Sequence, residues 1–134
     1  MQKIYLVCGV PGSGKTWVCN QLKDKFDYIN HDNYKKNYAL ILKSAASYSK
    51  KPILADCPFA ERALRDELVK SGYKVIPVFI IEDPSVSKQR YETRDKKPYP
   101  QSFLTRAKTI ENRAKEWDAF AGTSKQVLEH LKNI

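Results

Sequence analysis

Eight consecutive residues, Gly9-Val10-Pro11-Gly12-Ser13-Gly14-Lys15-Thr16, put glycines, a lysine and a threonine at the spacing G-x-x-x-x-G-K-[ST]. That spacing suits one chemistry, the gripping of a polyphosphate. Glycines let the backbone curl until its N–H groups converge on phosphate oxygens, and a helix opening at once adds the positive end of its dipole. Lys15 then reaches the β- and γ-phosphates, and the Thr16 hydroxyl ligates Mg²⁺. Four other side chains fit phosphoryl chemistry: Asp32, Asp56, Arg90 and Arg94. Asp56 ends an apolar strand, where it either holds Mg²⁺, directly or through water, or caps a helix ahead of Pro58. Asp32 follows Asn30 and His31, where a carboxylate either takes the proton of an attacking hydroxyl or satisfies a backbone N–H as a helix cap. His31 alone reads as a solvated or hydrogen-bonded histidine rather than a base. Arg90 and Arg94 stand four apart, so they either converge on one anionic site or form a solvent-facing basic stripe. The spacing of Arg62 and Arg65 decides nothing.

Such residues need elements that bring them to one place, and the chain alternates strand and helix patterns. Lys3 to Cys8 is a short, continuous apolar run typical of a buried parallel strand, and a helix from Lys15 to about Phe26 follows the glycine loop. Tyr28 to Asn30 is a second short strand. Asp32 is positioned to cap a helix carrying Tyr34, Tyr38 and Ile41, which unwinds before Pro52. Pro52 to Asp56 is a third strand, and Pro58 suits the first turn of a helix running to Val69, with Gly72 just past its end. Tyr73 to Ile81 is a fourth strand in which Pro77 marks a bulge or an edge position. Asp83-Pro84 opens the helix of the two arginines, and Lys96 to Pro100 is a loop because two prolines stand there. Gln101 to about Phe120 reads as one long helix with Phe103, Ile110, Trp117 and Phe120 inward, and Ser124 to Leu131 as a last helix. Strands separated by helices require right-handed crossovers and a parallel sheet covered on both faces. The phosphate loop, Asp32, Asp56 and the segment after Ile81 then share the edge where open α/β sheets bind ligands.

With 134 residues and 42% hydrophobic content, the chain reads as a single globular domain, residues 1–134. No apolar run approaches the roughly 20 residues that cross a bilayer, and the N-terminus lacks the order of a signal peptide. A cytoplasmic protein with no membrane partner is expected. Cys8, Cys19 and Cys57 never form C-x-x-C and read as reduced thiols rather than metal ligands. Twenty-four basic against 15 acidic residues give a formal charge of +9, which favours a polyanionic partner. The lysines are spread along the chain, which argues against a disordered basic arm. Oligomeric state and the choice of adenine or guanine carry no signature; the base-binding loop is expected between Trp117 and Lys125.

Four segments together, GVPGSGKT (9–16), YINHDNY (28–34), ILADCPF (53–59) and KQRYETRDKKPYP (88–100), resemble the kinase domain of phage-type polynucleotide kinases in the P-loop kinase superfamily. The resemblance covers about 120 residues. It implies a three-layer α/β P-loop kinase fold with a small parallel sheet of about four strands in the order 2-3-1-4, and a lid at about 88–100. It implies ATP and Mg²⁺ as cofactors, with Gly9, Gly12, Ser13, Gly14, Lys15 and Thr16 on the nucleotide and Thr16 with Asp56 on the metal. Asp32 becomes the base that deprotonates a 5′-hydroxyl. Arg90 and Arg94 belong to a lid over the donor phosphates, Arg94 closer to the transition state. Asp32, Lys35 and Asp56 face the acceptor; Lys35 stands near where the family commonly has an arginine and offers only a point charge. The implied acceptor is a nucleic-acid hydroxyl, on DNA ahead of RNA. The connection from Tyr34 to Pro52 is short for that family and no phosphatase domain is attached, so a hydroxymethyl group of a modified pyrimidine in DNA, or a free nucleoside or nucleotide, stands as the alternative.

Overall fold

The computed structural model describes residues 2–30, 37–48, 51–57 and 62–134, apart from the side chains of Tyr38 and Cys57. Its strands are β1 (Lys3–Cys8), β2 (Asp27–Asn30), β3 (Ile53–Cys57), β4 (Lys74–Ile80) and β5 (Phe120–Gly122). Its helices are α1 (Lys15–Asn20), α2 (Tyr38–Ala46), α3 (Arg62–Lys70), α4 (Pro84–Asp95), α5 (Gln101–Glu116) and α6 (Ser124–Lys132). The strands pair in parallel in the order β2-β3-β1-β4-β5.

Alternation along β1 sets the layering, because successive side chains leave a strand on opposite faces. Ile4, Leu6 and Cys8 pack with Ile41 and Ala45 of α2, Leu64 and Leu68 of α3, and Ile110 and Ala114 of α5. Tyr5 and Val7 pack with Val18 and Cys19 of α1, the following Leu22 and Phe26, and Val127, Leu128 and Leu131 of α6. The result is helix, sheet and helix in three layers. Every β1 residue beyond Lys3 is buried, as a central parallel strand must be. Helix ends follow local chemistry. Gly72, at φ 93°, closes α3 with amide bonds from Gly72 to Val69 and from Tyr73 to Leu68. Thr123 and Gln126 cap the start of α6 reciprocally.

Several boundaries differ from expectation. The regular part of α1 stops at Asn20, not near Phe26, because the amides of Leu22 and Lys25 bond three residues back and tighten the chain into successive turns. Asn37, not Asp32, caps the helix carrying Ile41, its side chain accepting from the Leu40 amide at 3.3 Å. Asp32 itself, with His31 and Lys35, lies outside the described residues, as does the helix start at Pro58. The long helix expected to reach Phe120 ends at Glu116. Asp118 takes a left-handed φ of 49°, and amides of Asp118 and Ala119 bond back to Lys115 and Ala114, a turn that aspartate tolerates. The freed residues pair as a fifth strand with Val78, Phe79 and Ile80. Phe120 therefore faces outward, 38% exposed, stacked on His130. Pro77 lies one residue before that pairing begins, where β4 has a neighbour on β1's side alone, so the edge reading of its missing N–H holds.

Candidate active site

β1 delivers the chain to the C-terminal edge of the sheet, and the loop after it turns back on left-handed glycines. Gly12 and Gly14 stand at φ 85° and 103°. A Cβ on Gly12 would lie 2.3 Å from the Ser87 carbonyl oxygen of α4, so the loop touches the α4 backbone there. Gly14 opens α1 with no side-chain cap, which leaves the first helical N–H groups turned to the loop's concavity. Lys15 is buried, and its ammonium donates to the Val10 carbonyl at 3.1 Å. Gly9 and Ser13 sit behind this surface: Ser13 is fully buried, and a Cβ on Gly9 would meet its Oγ at 2.5 Å. Their role in the structure is to let the loop close on itself.

Asp56 stands at the end of β3, in register with Val7 on one side and Asn30 on the other, and is 4% exposed. Its Oδ2 accepts from the Thr16 hydroxyl at 3.0 Å and from the Tyr28 phenol at 3.2 Å. Burial, then the Asp56 charge, pushes the Tyr28 phenol well above its ordinary range, so it stays protonated and donates. Burial, joined by Asp56 and opposed by Lys15, likewise raises the Cys19 thiol and keeps it un-ionised. Thr16 and Asp56 bring a hydroxyl and a carboxylate oxygen together beside the loop. Hard oxygen donors of this kind suit Mg²⁺, which takes one or two protein ligands and completes its shell from water and phosphate. No cluster of three or more His, Cys, Asp or Glu side chains that could hold a metal occurs among the described residues.

Opposite, α4 begins at Asp83, whose carboxylate accepts from the Ser85 amide at 2.9 Å and hydroxyl at 2.6 Å. Arg90 reaches down from this helix, and its Nη1 donates to the Ser13 carbonyl at 3.1 Å and approaches that of Gly12 at 3.5 Å. Arg94, one turn further on, is bonded to Asp95 at 2.9 and 3.2 Å and lies over the Tyr91 ring. Between the two sides lies a cavity of about 340 Å³. Gly12, Gly14, Lys15 and Thr16 line one wall, Asp56 the floor, and Arg90, Tyr91 and Arg94 the other wall. Seven residues singled out in the sequence thus meet in one place, while Asp32 and Lys35 fall outside the described residues. A second cavity of about 310 Å³ adjoins it, lined by Gly14, Trp17, Arg90, Ser124 and Lys125. Ser124 and Lys125 border it at the segment expected to bind the base. Tyr28, Glu82, Tyr99 and Ser124 escaped sequence reasoning; each acts through a partner far along the chain, which no local pattern records.

A glycine loop that opens a helix at the C-terminal edge of a parallel sheet ordered 2-3-1-4-5 defines the P-loop fold. A gluconokinase from Sinorhizobium meliloti superimposes with a TM-score of 0.68 at 24% identity, over 95% of this chain and 87% of that one. A sugar kinase from a Janibacter species matches at a TM-score of 0.63 and 19% identity, over 98% and 92% of the two chains. Shikimate kinase from Acinetobacter baumannii, in complex with shikimate, matches at a TM-score of 0.63 and 17% identity, over 98% and 90%. No protein-family model matches the chain, and no curated protein does. The likenesses establish the P-loop NTPase fold; they do not single out the phage polynucleotide kinases. No helix among the described residues is long and apolar enough to cross a membrane.

Proposed function

We propose that this protein is an ATP- and Mg²⁺-dependent phosphotransferase that moves the γ-phosphate to a hydroxyl group of a nucleic acid. The observation that carries the reading is the 3.0 Å contact of Thr16 with Asp56 beside a lysine-bearing glycine loop that Arg90 overhangs. Backbone amides of the loop and Lys15 bind the donor phosphates, and Arg90 and Arg94 offset charge that spreads over the transferring group. Thr16 and Asp56 would hold the metal, which would supply charge neutralisation to the donor phosphates. Asp32 takes the acceptor proton, with Lys35 offering a point charge to acceptor phosphate. The base lies in the adjoining cavity beside Trp17 and Lys125. For the acceptor, the support is charge. Between Pro84 and Glu116 there are nine basic and four acidic residues, and this segment contributes Arg90, Tyr91 and Arg94 to the wall opposite the phosphate loop.

A small acceptor is the second reading, a free nucleoside or nucleotide or a sugar-like alcohol. It is favoured by the gluconokinase, sugar kinase and shikimate kinase whose folds this chain shares. Labelled ATP with 5′-hydroxyl oligonucleotides, duplexes containing hydroxymethyl-pyrimidine, free nucleosides, gluconate and shikimate separates the two. Transfer to polynucleotides, weakening steeply as salt rises, is the expected result. Transfer confined to small alcohols and indifferent to salt replaces it with the second reading. In the active pairing, Asp32→Asn should leave ATP binding in place and lower transfer by about 10²–10⁴-fold; unimpaired transfer removes Asp32 from the chemistry.

A further inference from the structure

Glu82 lies two residues past β4 and lines neither the phosphate cavity nor its neighbour. Its side chain is 10% exposed, and one oxygen, Oε1, accepts two hydrogen bonds and faces a guanidinium. The Ser124 amide and hydroxyl each donate to it at 2.7 Å, and the Arg90 Nη1 stands 3.9 Å away. That same guanidinium nitrogen donates to the Ser13 carbonyl. Gly14 closes the ring: a Cβ there would lie 3.0 Å from the Ser124 Cβ and 3.3 Å from the Arg90 Nη1. One buried carboxylate therefore ties together α4, the first residue of α6 and, through Arg90, the phosphate loop.

The two cavities share Gly14, Trp17 and Arg90, and Ser124 belongs to the second alone. We propose that Glu82 is a positioning residue that couples the nucleoside half of the donor site to its triphosphate half, by fixing Ser124 and Arg90 against one anchor. A carboxylate so close to a polyanion site is electrostatically unfavourable for the ligand, so its contribution comes through what it holds. The two 2.7 Å bonds from Ser124 fix geometry firmly, the ion pair with Arg90 adds a longer-range attraction, and a negative group at the start of α6 is favoured by the helix dipole. With Glu82 truncated, the buried Ser124 amide loses its acceptor and the arginine its counter-charge. The two walls then move independently, and the nucleoside adds less to affinity than it does in the intact site.

This inference rests on the nucleotide-binding reading above, and the measurement keeps the two apart. ATP and inorganic tripolyphosphate are titrated by calorimetry, with Mg²⁺, into wild type, Glu82→Ala and Glu82→Gln; circular dichroism and melting confirm that each variant is folded. The ratio of the two dissociation constants reports what the nucleoside contributes. Glu82→Ala should lower that ratio about tenfold. Glu82→Gln keeps an acceptor for Ser124 but no charge for Arg90, and should lower it by about threefold, with the effect of Arg90→Ala diminished in its background. If alanine prevents folding, the glutamine variant decides. A ratio unchanged in the folded variants, or equal weakening of both ligands, overturns the coupling and leaves wild-type nucleotide binding intact. Wild-type protein that binds neither ligand removes the nucleotide reading, and the coupling with it.

Discussion

The wall of the cavity made by the phosphate loop is held by backbone geometry, whereas the lid wall opposite is held largely by ring contacts. On the first, two left-handed glycines and the buried Lys15, bonded to the Val10 carbonyl, restrict the chain. On the second, Tyr91, Tyr99 and Phe103 meet edge to face at centroid distances of 5.2–5.5 Å. A bond from the Tyr99 hydroxyl to the Pro11 carbonyl, 3.0 Å, ties that cluster to the loop. Arg94 at the same wall keeps 60% of its side chain exposed. Hydrogen-bonded backbone resists displacement; aromatic faces can slide at small cost. The difference assigns rigidity to the loop wall and adjustment to the wall opposite.

The contrast breaks most severely where the two walls touch. Gly12→Ala puts a methyl group against the Ser87 carbonyl at a φ that L side chains rarely adopt, so relief requires the loop or α4 to move. A loss of about 2–4 kcal/mol in stability and near-complete loss of ATP binding are expected, read by denaturant melts and calorimetry. A variant that binds ATP normally would show that the donor wall yields as readily as the lid. Tyr99→Phe sharpens the contrast instead, since it keeps the ring cluster and removes the tie. It should lower the melting temperature by roughly 3 °C and speed hydrogen exchange over 96–103, leaving the amides of β1 unaffected. Exchange that rises equally in both places would abolish the distinction.

Acid gives the gentlest probe. Asp83 caps the lid helix, and its bonds from the Ser85 hydroxyl and amide hold its carboxyl below the ordinary range. A depressed carboxyl contributes stability above its unfolded pKa and loses it as pH falls through the folded one. Asp83→Ala should therefore melt below wild type at neutral pH, with the gap closing as pH drops from about 5 toward 2. A gap independent of pH would mean that the cap acts without its charge.

Legibility followed the range of the interaction. The phosphate loop, the Asp83-Pro84 start and the Gly72 stop are written in adjacent residues, and the first four strands were readable from short apolar runs, their order from the family resemblance. Asp56 was marked by its place at a strand end. The fifth strand was hidden because Ala114 to Phe120 keeps an apolar pattern that a helix would also show, and only the turn at Asp118 and the open edge of β4 redirect it. Glu82 and Ser124 are 42 residues apart, and Tyr28 and Asp56 are 28 apart. Neither pair leaves a spacing signal, because folding alone makes them neighbours.

The outermost strands of the sheet are also its shortest: β2 has four residues and β5 three, with Phe120 of β5 stacked on His130. An exposed strand edge is a template on which a second chain can add its own strand and begin aggregation, and a template this brief offers little to grip. The chain thus concentrates its long, strongly pairing strands in the middle, where no stranger can reach them.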